Sequence, residues 1–99
     1  MWQVTSGSQY CQLTSGGSCV IDGIGNHGNN ERCTIRALVT LYATAIAFNV
    51  EYHSTCSYDG IQIGSSRWCG TTGPTNVQMA ASSTMTWYSD FSVTRPGWT

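Results

Sequence analysis

Apolar and polar residues alternate along much of the chain, in short runs that are separated by turn residues. A period of two is typical of β-strands that bury one face, and the Gly, Asn, Ser and Pro residues between the runs are typical of turns. In residues 60–64, for example, the pattern places Ile61 and Ile63 on one inward face. The alternation predicts strands at residues 2–5, 19–23, 60–64, 76–80 and 85–88.

The longest apolar stretch, residues 33–52, does not have a unique interpretation. Its alanines and leucines between positions 37 and 47 are compatible with a helix. Its Thr, Val, Ile and Tyr content, with apolar side chains at every second position from Ile35 to Ala43, favours strands. Periodicity alone does not separate these alternatives.

The number and spacing of these runs predict the fold class. About nine short strands in one domain are typical of an antiparallel β-sandwich. A chain of 99 residues forms one domain and buries only about two-thirds of its unfolded surface, so covalent staples are expected. We expect residues 1–99 to be a single module of a longer chain.

The cysteine count and the net charge limit the classes of function that the chain can have. The chain has five cysteines and no Cys-x-x-Cys pair, which indicates disulfides and a secreted or extracellular location rather than a zinc site. A net charge of −1 excludes an electrostatic nucleic-acid binder, and no apolar run approaches the ~20 residues of a membrane span. Because the surface carries so few charges, copies of the chain repel each other only weakly, which favours a subunit packed in an assembly.

Three of the five carboxylates occupy comparable positions in the pattern. Glu51 follows the run Phe48-Asn49-Val50, Asp59 follows Cys56, and Asp90 follows the strand at residues 85–88. Acids from three loops can meet at one end of a sandwich, and hard oxygen ligands gathered in this way suit calcium.

These residues resemble the CUB domain, and within it the calcium-binding subset. The resemblance covers residues 19–99 and rests on an ordered set of motifs. They are an acid that ends the strand at Glu51, Cys56-Ser57-Tyr58-Asp59 eight residues on, Cys69-Gly70, Ser89-Asp90-Phe91-Ser92 and Gly97-Trp98.

The resemblance implies a CUB-like sandwich of jelly-roll type with two strands in residues 33–52, joined by a turn at residues 41–45. It implies Ca²⁺ as the cofactor. The implied ligands are Glu51, Asp59, Asp90 and a main-chain oxygen of Ser92. It also implies that loop residues contact a partner, and we assign that role to Tyr58 and to His27, which stands where the family often has tyrosine.

The resemblance also implies a Cys56–Cys69 bridge. For the first bridge, both Cys19–Cys33 and Cys11–Cys33 bracket the glycine-rich loop, and we favour Cys19–Cys33. Cys11 is then left for a cysteine outside residues 1–99, for a neighbouring subunit, or as a free buried thiol.

Alternatives stay open for the acids and for the function. Arg95 or another arginine could neutralise the carboxylates in place of a metal. His53, a nitrogen donor, is a poor calcium ligand that we place in solvent. We expect no enzyme activity, because no Gly-x-Ser-x-Gly motif occurs and a small sandwich lacks a cleft.

The preferred function is a calcium-supported module that contacts basic residues of an extracellular protein. The alternatives are a subunit of an extracellular filament built from copies of itself, and a glycan-binding module that uses Trp68 and Tyr10.

Overall fold

The computed structural model describes residues 1–23, 27–91, 94–95 and 97–99. Within those ranges the chain forms eleven short strands and one 3₁₀ turn, at Ser15–Gly17, but no α-helix. The strands are β1 (Trp2–Ser6), β2 (Gln12–Thr14), β3 (Cys19–Ile21), β4 (Arg32–Ala37), β5 (Leu41–Ala43), β6 (Phe48–Asn49), β7 (Gly60–Ile63), β8 (Ser66–Trp68), β9 (Val77–Met79), β10 (Thr84–Tyr88) and β11 (Gly97–Trp98). The all-β prediction is confirmed, and the helical interpretation of residues 37–47 is wrong.

Five strands form one antiparallel sheet in the order β1-β4-β10-β7-β8. Its register aligns the apolar positions of neighbouring strands: Ile35 lies opposite Val4 on one side and Met85 on the other, and Trp87 lies opposite Cys33. Because side chains alternate across a strand, these residues share the inner face. Ile35, Cys33 and Trp87 are completely buried there.

The remaining strands pair in twos, β5 with β9, β6 with β11 and β2 with β3. Their buried side chains join the core of the large sheet and include Val20, Leu41, Ala43, Met79 and Trp98. The rings of Trp87 and Trp98 lie 5.8 Å apart, so the large sheet and the β6–β11 pair are in direct contact. Both tryptophans are core residues of an antiparallel β-sandwich, whose jelly-roll type stays a prediction.

The predicted turn at residues 41–45 is wrong. Residues 41–43 form β5, and the chain bends at residues 38–40 instead. The cause lies at the end of β4, where the loop before β10 closes over the strand. The N–H of Ala37 donates to the carbonyl of Ser83 (2.9 Å), and its carbonyl accepts from the N–H of Ser82 (2.7 Å).

Two disulfides are present. Cys56–Cys69 is confirmed. The preferred pairing of Cys19 with Cys33 is wrong: Cys33 is bonded to Cys11, the alternative partner, with the Cα atoms 6.3 Å apart. Cys19 is a free, half-buried thiol.

A turn at the end of β1 explains the choice of partner. The N–H of Tyr10 donates to the carbonyl of Gly7 (2.9 Å), and this turn brings Cys11 back against β4. Only glycine permits the approach, because Gly7 has a φ of 73° and a Cβ there would lie 2.1 Å from the carbonyl oxygen of Arg32. Cys19 meanwhile lies in β3, opposite Thr14 of β2.

The disulfide pattern predicts a single reactive thiol. Unfolded but non-reduced protein should take up one maleimide per chain, at Cys19, since the other four cysteines are bonded. Peptide mapping should recover Cys11 and Cys33 in one cross-linked fragment, and Cys19→Ala should take up no label. Label on Cys11 in the wild-type protein would contradict this assignment.

Candidate metal centre at the rim of the sandwich

Strand pairing brings two of the three predicted acids together. Asp59 directly precedes β7, and Asp90 follows β10 by two residues. These strands are antiparallel neighbours with Gly60 opposite Tyr88, so the chain enters one and leaves the other at the same edge. The backbone N–H of Asp90 donates to Oδ1 of Asp59 at 3.0 Å, which fixes the two loops to each other.

Glu51 reaches the same edge from the second layer. It follows β6 and the buried Val50, whose N–H donates to the carbonyl of Gly70 at 2.9 Å. Gly70 follows Cys69, which is bonded to Cys56. The disulfide therefore ties together the segments that lead to Glu51 and to Asp59.

The geometry of the three carboxylates fits one calcium ion. One ligand oxygen from each of Glu51, Asp59 and Asp90 lies within 4.8 Å of the other two. Calcium–oxygen bonds are about 2.3–2.6 Å long, so two oxygens on one ion are separated by at most about 5 Å. The structure thus brings together the three acids that the sequence predicted as ligands, whereas Ser92 lies outside the described residues.

Two carboxylate oxygens of this cluster are buried without a hydrogen-bond partner in the described part of the chain, Oε1 of Glu51 and Oδ2 of Asp59. Asp59 is completely buried. Buried polar atoms are normally satisfied, and an unpaired buried carboxylate is especially unfavourable. A divalent cation is the group that would satisfy several such oxygens at once.

The electrostatics of the cluster also favour a cation. Burial raises the pKa of Glu51, and the charges of Asp90 and Asp59 raise it further, while Arg95 opposes the rise. Burial raises the pKa of Asp59 in spite of the hydrogen bond from the Asp90 N–H and the charge of His27. The Arg95 guanidinium donates to the carbonyl of Thr94 (3.1 Å), and its charge partly opposes the rise in the pKa of Glu51.

The prediction that His27 contacts a partner is wrong. Its side chain has no exposed surface, and Nε2 lies 3.3 Å from Oδ2 of Asp59, at ion-pair distance but outside hydrogen-bond geometry. Nδ1 must carry a proton, because it lies 2.9 Å from the carbonyl oxygen of Gly28, which only accepts. The ring packs edge-on against Trp87, with centroids 5.1 Å apart. His27 is thus a positioning residue behind Asp59.

Sequence reasoning missed the two remaining acids, which support the rim from inside. Glu31 accepts from the indole N–H of Trp87 (3.0 Å) and from the N–H of Gly28 (2.8 Å). Asp22 is buried and accepts from the N–H of Trp98 (3.0 Å) through Oδ1, while its Oδ2 has no partner in the described ranges. No local signal marked Asp22, since its partner is 76 residues away.

Three exposed aromatic residues are sequence neighbours of the acids. Tyr52, Tyr58 and Phe91 are 73%, 44% and 78% exposed, and each directly adjoins one of the carboxylate residues in sequence. Tyr58 is thus accessible, and its assigned contact with a partner stays a prediction. His53 is half-buried rather than solvated, and its ring lies 4.1 Å from that of Tyr58.

The alternative glycan site assigned to Trp68 and Tyr10 stays a prediction. Both side chains are only half-exposed, and Tyr10 packs against the core.

The raised pKa values predict how stability depends on pH. Burial raises the pKa of Asp22 from 3.8 to about 6, and the pKa values of Glu51 and Asp59 are also raised. Between about pH 4, where carboxyls of the unfolded chain ionise, and about pH 6, the folded state holds more protons than the unfolded state. The free energy of unfolding in chelator should therefore fall as the pH rises through this window.

Urea unfolding at intervals across that window measures this effect. Asp22→Asn should reduce the slope, because it removes one of the titrating groups. Added calcium should reduce the part due to Glu51 and Asp59. Stability that rises from pH 4 to pH 6 in chelator would contradict the assignment.

No helix within the described ranges has the length and apolar composition needed to cross a bilayer. Comparison with family models, with curated proteins and with solved structures found no match to this chain.

Proposed function

We propose that the chain is an extracellular, calcium-supported binding module, of CUB-like jelly-roll type, that engages a basic side chain of a protein partner at the acidic rim. The observation that carries this proposal is the convergence of three carboxylates within 4.8 Å, with two buried oxygens that lack a hydrogen-bond partner in the described chain. The two disulfides are compatible with an extracellular location.

Glu51, Asp59 and Asp90 would hold the ion, with a main-chain oxygen of Ser92 and waters as further ligands by the CUB resemblance. Bound calcium supplies positive charge that neutralises the mutual repulsion of the carboxylates. Three carboxylates and solvent correspond to an extracellular site with an affinity of roughly micromolar to millimolar. Because Asp90 and Asp59 belong to different loops, ion binding orders both.

The surroundings of the acids favour a protein partner with an exposed lysine or arginine. Tyr52, Tyr58 and Phe91 offer apolar surface to the aliphatic part of such a side chain, and their rings also attract its charge. Aromatic residues around a polar centre are typical of interface anchors. A single charge-assisted hydrogen bond contributes about 1.5–3 kcal/mol, so useful affinity comes from repetition of the contact. The role proposed is binding without catalysis.

The test pairs two small probes that differ in charge. With saturating calcium, N-acetyl-lysine amide should shift the ring proton resonances of Tyr52, Tyr58 and Phe91, with weak, millimolar-range saturation. N-acetyl-norleucine amide, which keeps most of the aliphatic stem but lacks the ammonium, should leave them unchanged. Calcium titration by calorimetry should show one site. Absence of a calcium site, or equal shifts with both probes, would contradict the proposal.

A second candidate, a subunit that assembles with copies of itself, is favoured by the opposite end of the sandwich. Met1, Leu38 and Val39 are 54%, 49% and 50% exposed there, and the N–H of Leu38 donates to the carbonyl of Met1 at 2.9 Å. Sedimentation with and without calcium separates the candidates. A monomer in both conditions supports the binding module, whereas concentration-dependent association that Leu38→Ser removes supports the assembly subunit.

A further inference from the structure

The outer face of the large sheet carries positive charge that the rim does not use. Strand alternation directs Arg32 and Arg36 of β4 outward, between the buried Cys33, Ile35 and Ala37. The register places Arg32 opposite Tyr88 and places Arg67, on β8 and three strands from β4, opposite Gln62. Three of the four arginines of the chain therefore lie on this face.

A polar groove of about 440 Å³ runs along the face. Its lining includes Arg32, Gln62, Arg67, Thr84, Thr86 and Tyr88, and none of its lining residues is acidic. All five acids of the chain lie elsewhere, with Glu31 directed inward to Trp87. The groove thus combines guanidinium, hydroxyl and amide groups without a carboxylate to neutralise them.

The two guanidinium groups of the groove are accessible. Arg32 is exposed, and its side chain makes no hydrogen bond or ion pair with any residue that the structure describes. Arg67 is also exposed; its Nε donates to Oε1 of Gln62 at 3.3 Å, and its guanidinium carbon lies 6.0 Å from the ring centroid of Tyr88. Both therefore keep donors free for a ligand.

The centre of the groove is held in place by hydrogen bonds. The hydroxyl of Tyr88 donates to the carbonyl of Cys56. The side-chain amide of Gln62 donates to the carbonyl of Gly64 at 3.0 Å, and its Oε1 accepts from Arg67. The positions of Tyr88, Gln62 and Arg67 are thus coupled before any ligand binds, which reduces the entropy lost on binding.

We propose that this groove binds an acidic polysaccharide, with a carboxylate or sulfate group held by Arg32 and Arg67 and sugar hydroxyls contacting the threonines and Gln62. The planar guanidinium group matches the geometry of such oxyanions and forms charge-assisted hydrogen bonds with them. The site is separate from the rim and does not depend on calcium.

The chemistry of the lining argues against other anionic ligands. A protein interface is anchored by buried apolar and aromatic residues, whereas this groove offers a single half-buried ring, that of Tyr88. A nucleic acid requires an extended basic surface, and the chain has a net charge of −1. A hydroxylated, acidic saccharide complements both the threonines and the arginines.

The test uses calorimetric titration of the whole chain, in chelator and at low ionic strength. The probes are a heparin-type sulfated hexasaccharide, an unsulfated uronate hexasaccharide and maltohexaose as the neutral control. Arg32→Gln combined with Arg67→Gln should weaken binding of the acidic probes by about tenfold or more, as expected when charge-assisted hydrogen bonds from two guanidinium groups are lost. Arg36→Gln is the matched control, because Arg36 is held by Gln3 at 2.8 Å outside the groove.

The outcomes divide clearly. Saturable binding of the sulfated probe, the uronate probe or both, lost in the double variant and retained within about threefold in Arg36→Gln, supports the proposal and names the anion. No binding of either acidic probe, equal binding of maltohexaose, or equal losses in all variants would overturn it. A requirement for calcium would place the ligand at the rim, and self-association that the double variant removes would make the face an interface between copies; both overturn the proposal.

Discussion

Asp59→Asn should abolish calcium binding and leave the metal-free protein at least as stable as the wild type. At a calcium concentration 100-fold above the dissociation constant, linkage stabilises a protein by about 2.7 kcal/mol. That corresponds to a rise of roughly 10–20 °C in the melting temperature of a domain of this size. The variant should lose this rise, because Asp59 shares the cluster with Glu51 and Asp90.

The metal-free variant keeps its fold because asparagine reproduces the local contacts. Its side-chain carbonyl can accept from the Asp90 N–H as Oδ1 of Asp59 does. Removal of one charge also relieves the repulsion that raises the pKa of Glu51. Differential scanning calorimetry in calcium and in chelator measures both effects.

Glu31→Gln is the control for the loss of an acid at the same end. Glu31 accepts two hydrogen bonds, and glutamine replaces only one acceptor, so this variant should lose about 1–3 kcal/mol of stability. Its calcium-induced shift should nevertheless persist. A full calcium shift in Asp59→Asn, or its loss in Glu31→Gln alone, would refute the assigned ligand set.

Removal of the Cys56–Cys69 bridge by a double alanine substitution should lower the free energy of unfolding by about 3 kcal/mol, the value expected for a loop of about 15 residues. Unfolding in urea measures this directly. Calcium affinity should fall as well, because the bridge joins the segment before Asp59 to Gly70, which holds Val50 beside Glu51. Calorimetric titration of calcium measures the second effect.

Cys19→Ala provides the matched control for the loss of a thiol. Cys19 is unpaired, so this substitution should change stability by less than about 1 kcal/mol and leave calcium affinity unchanged. Mass analysis should first confirm that Cys11–Cys33 has formed in both variants. If the double variant unfolds at the same urea concentration as the wild type, the bridge does not stabilise the rim.

The three candidate ligand residues of the site could be predicted from the sequence. The buried residue that lies behind them, His27, could not. Glu51 and Asp90 follow strands and Asp59 directly precedes one, and the ordered motifs of the CUB resemblance identified the three together. His27, by contrast, lies in a glycine- and asparagine-rich segment typical of an exposed loop. Its burial depends on Trp87 and Asp59, which are 60 and 32 positions further along the chain, respectively.

The partner of Cys33 in the first disulfide was likewise not predictable from the sequence. Cys11 and Cys19 are both placed to bracket the loop before Cys33, and spacing does not distinguish them. The choice depends on the turn at Gly7, where backbone of two segments approaches to a distance that only glycine allows. That approach is a property of the folded sheet.

The sequence by itself determined the strands at residues 2–5, 19–23, 60–64, 76–80 and 85–88 and the oxidised cysteines, because these follow from a period of two and from composition. The resemblance of its motifs to the CUB domain identified the set of rim acids. Only the tertiary structure decided where the chain leaves β4, which cysteine pairs with Cys33, and that His27 supports Asp59 from inside. Each of these depends on burial and on contacts between segments far apart in the chain, which no local pattern encodes.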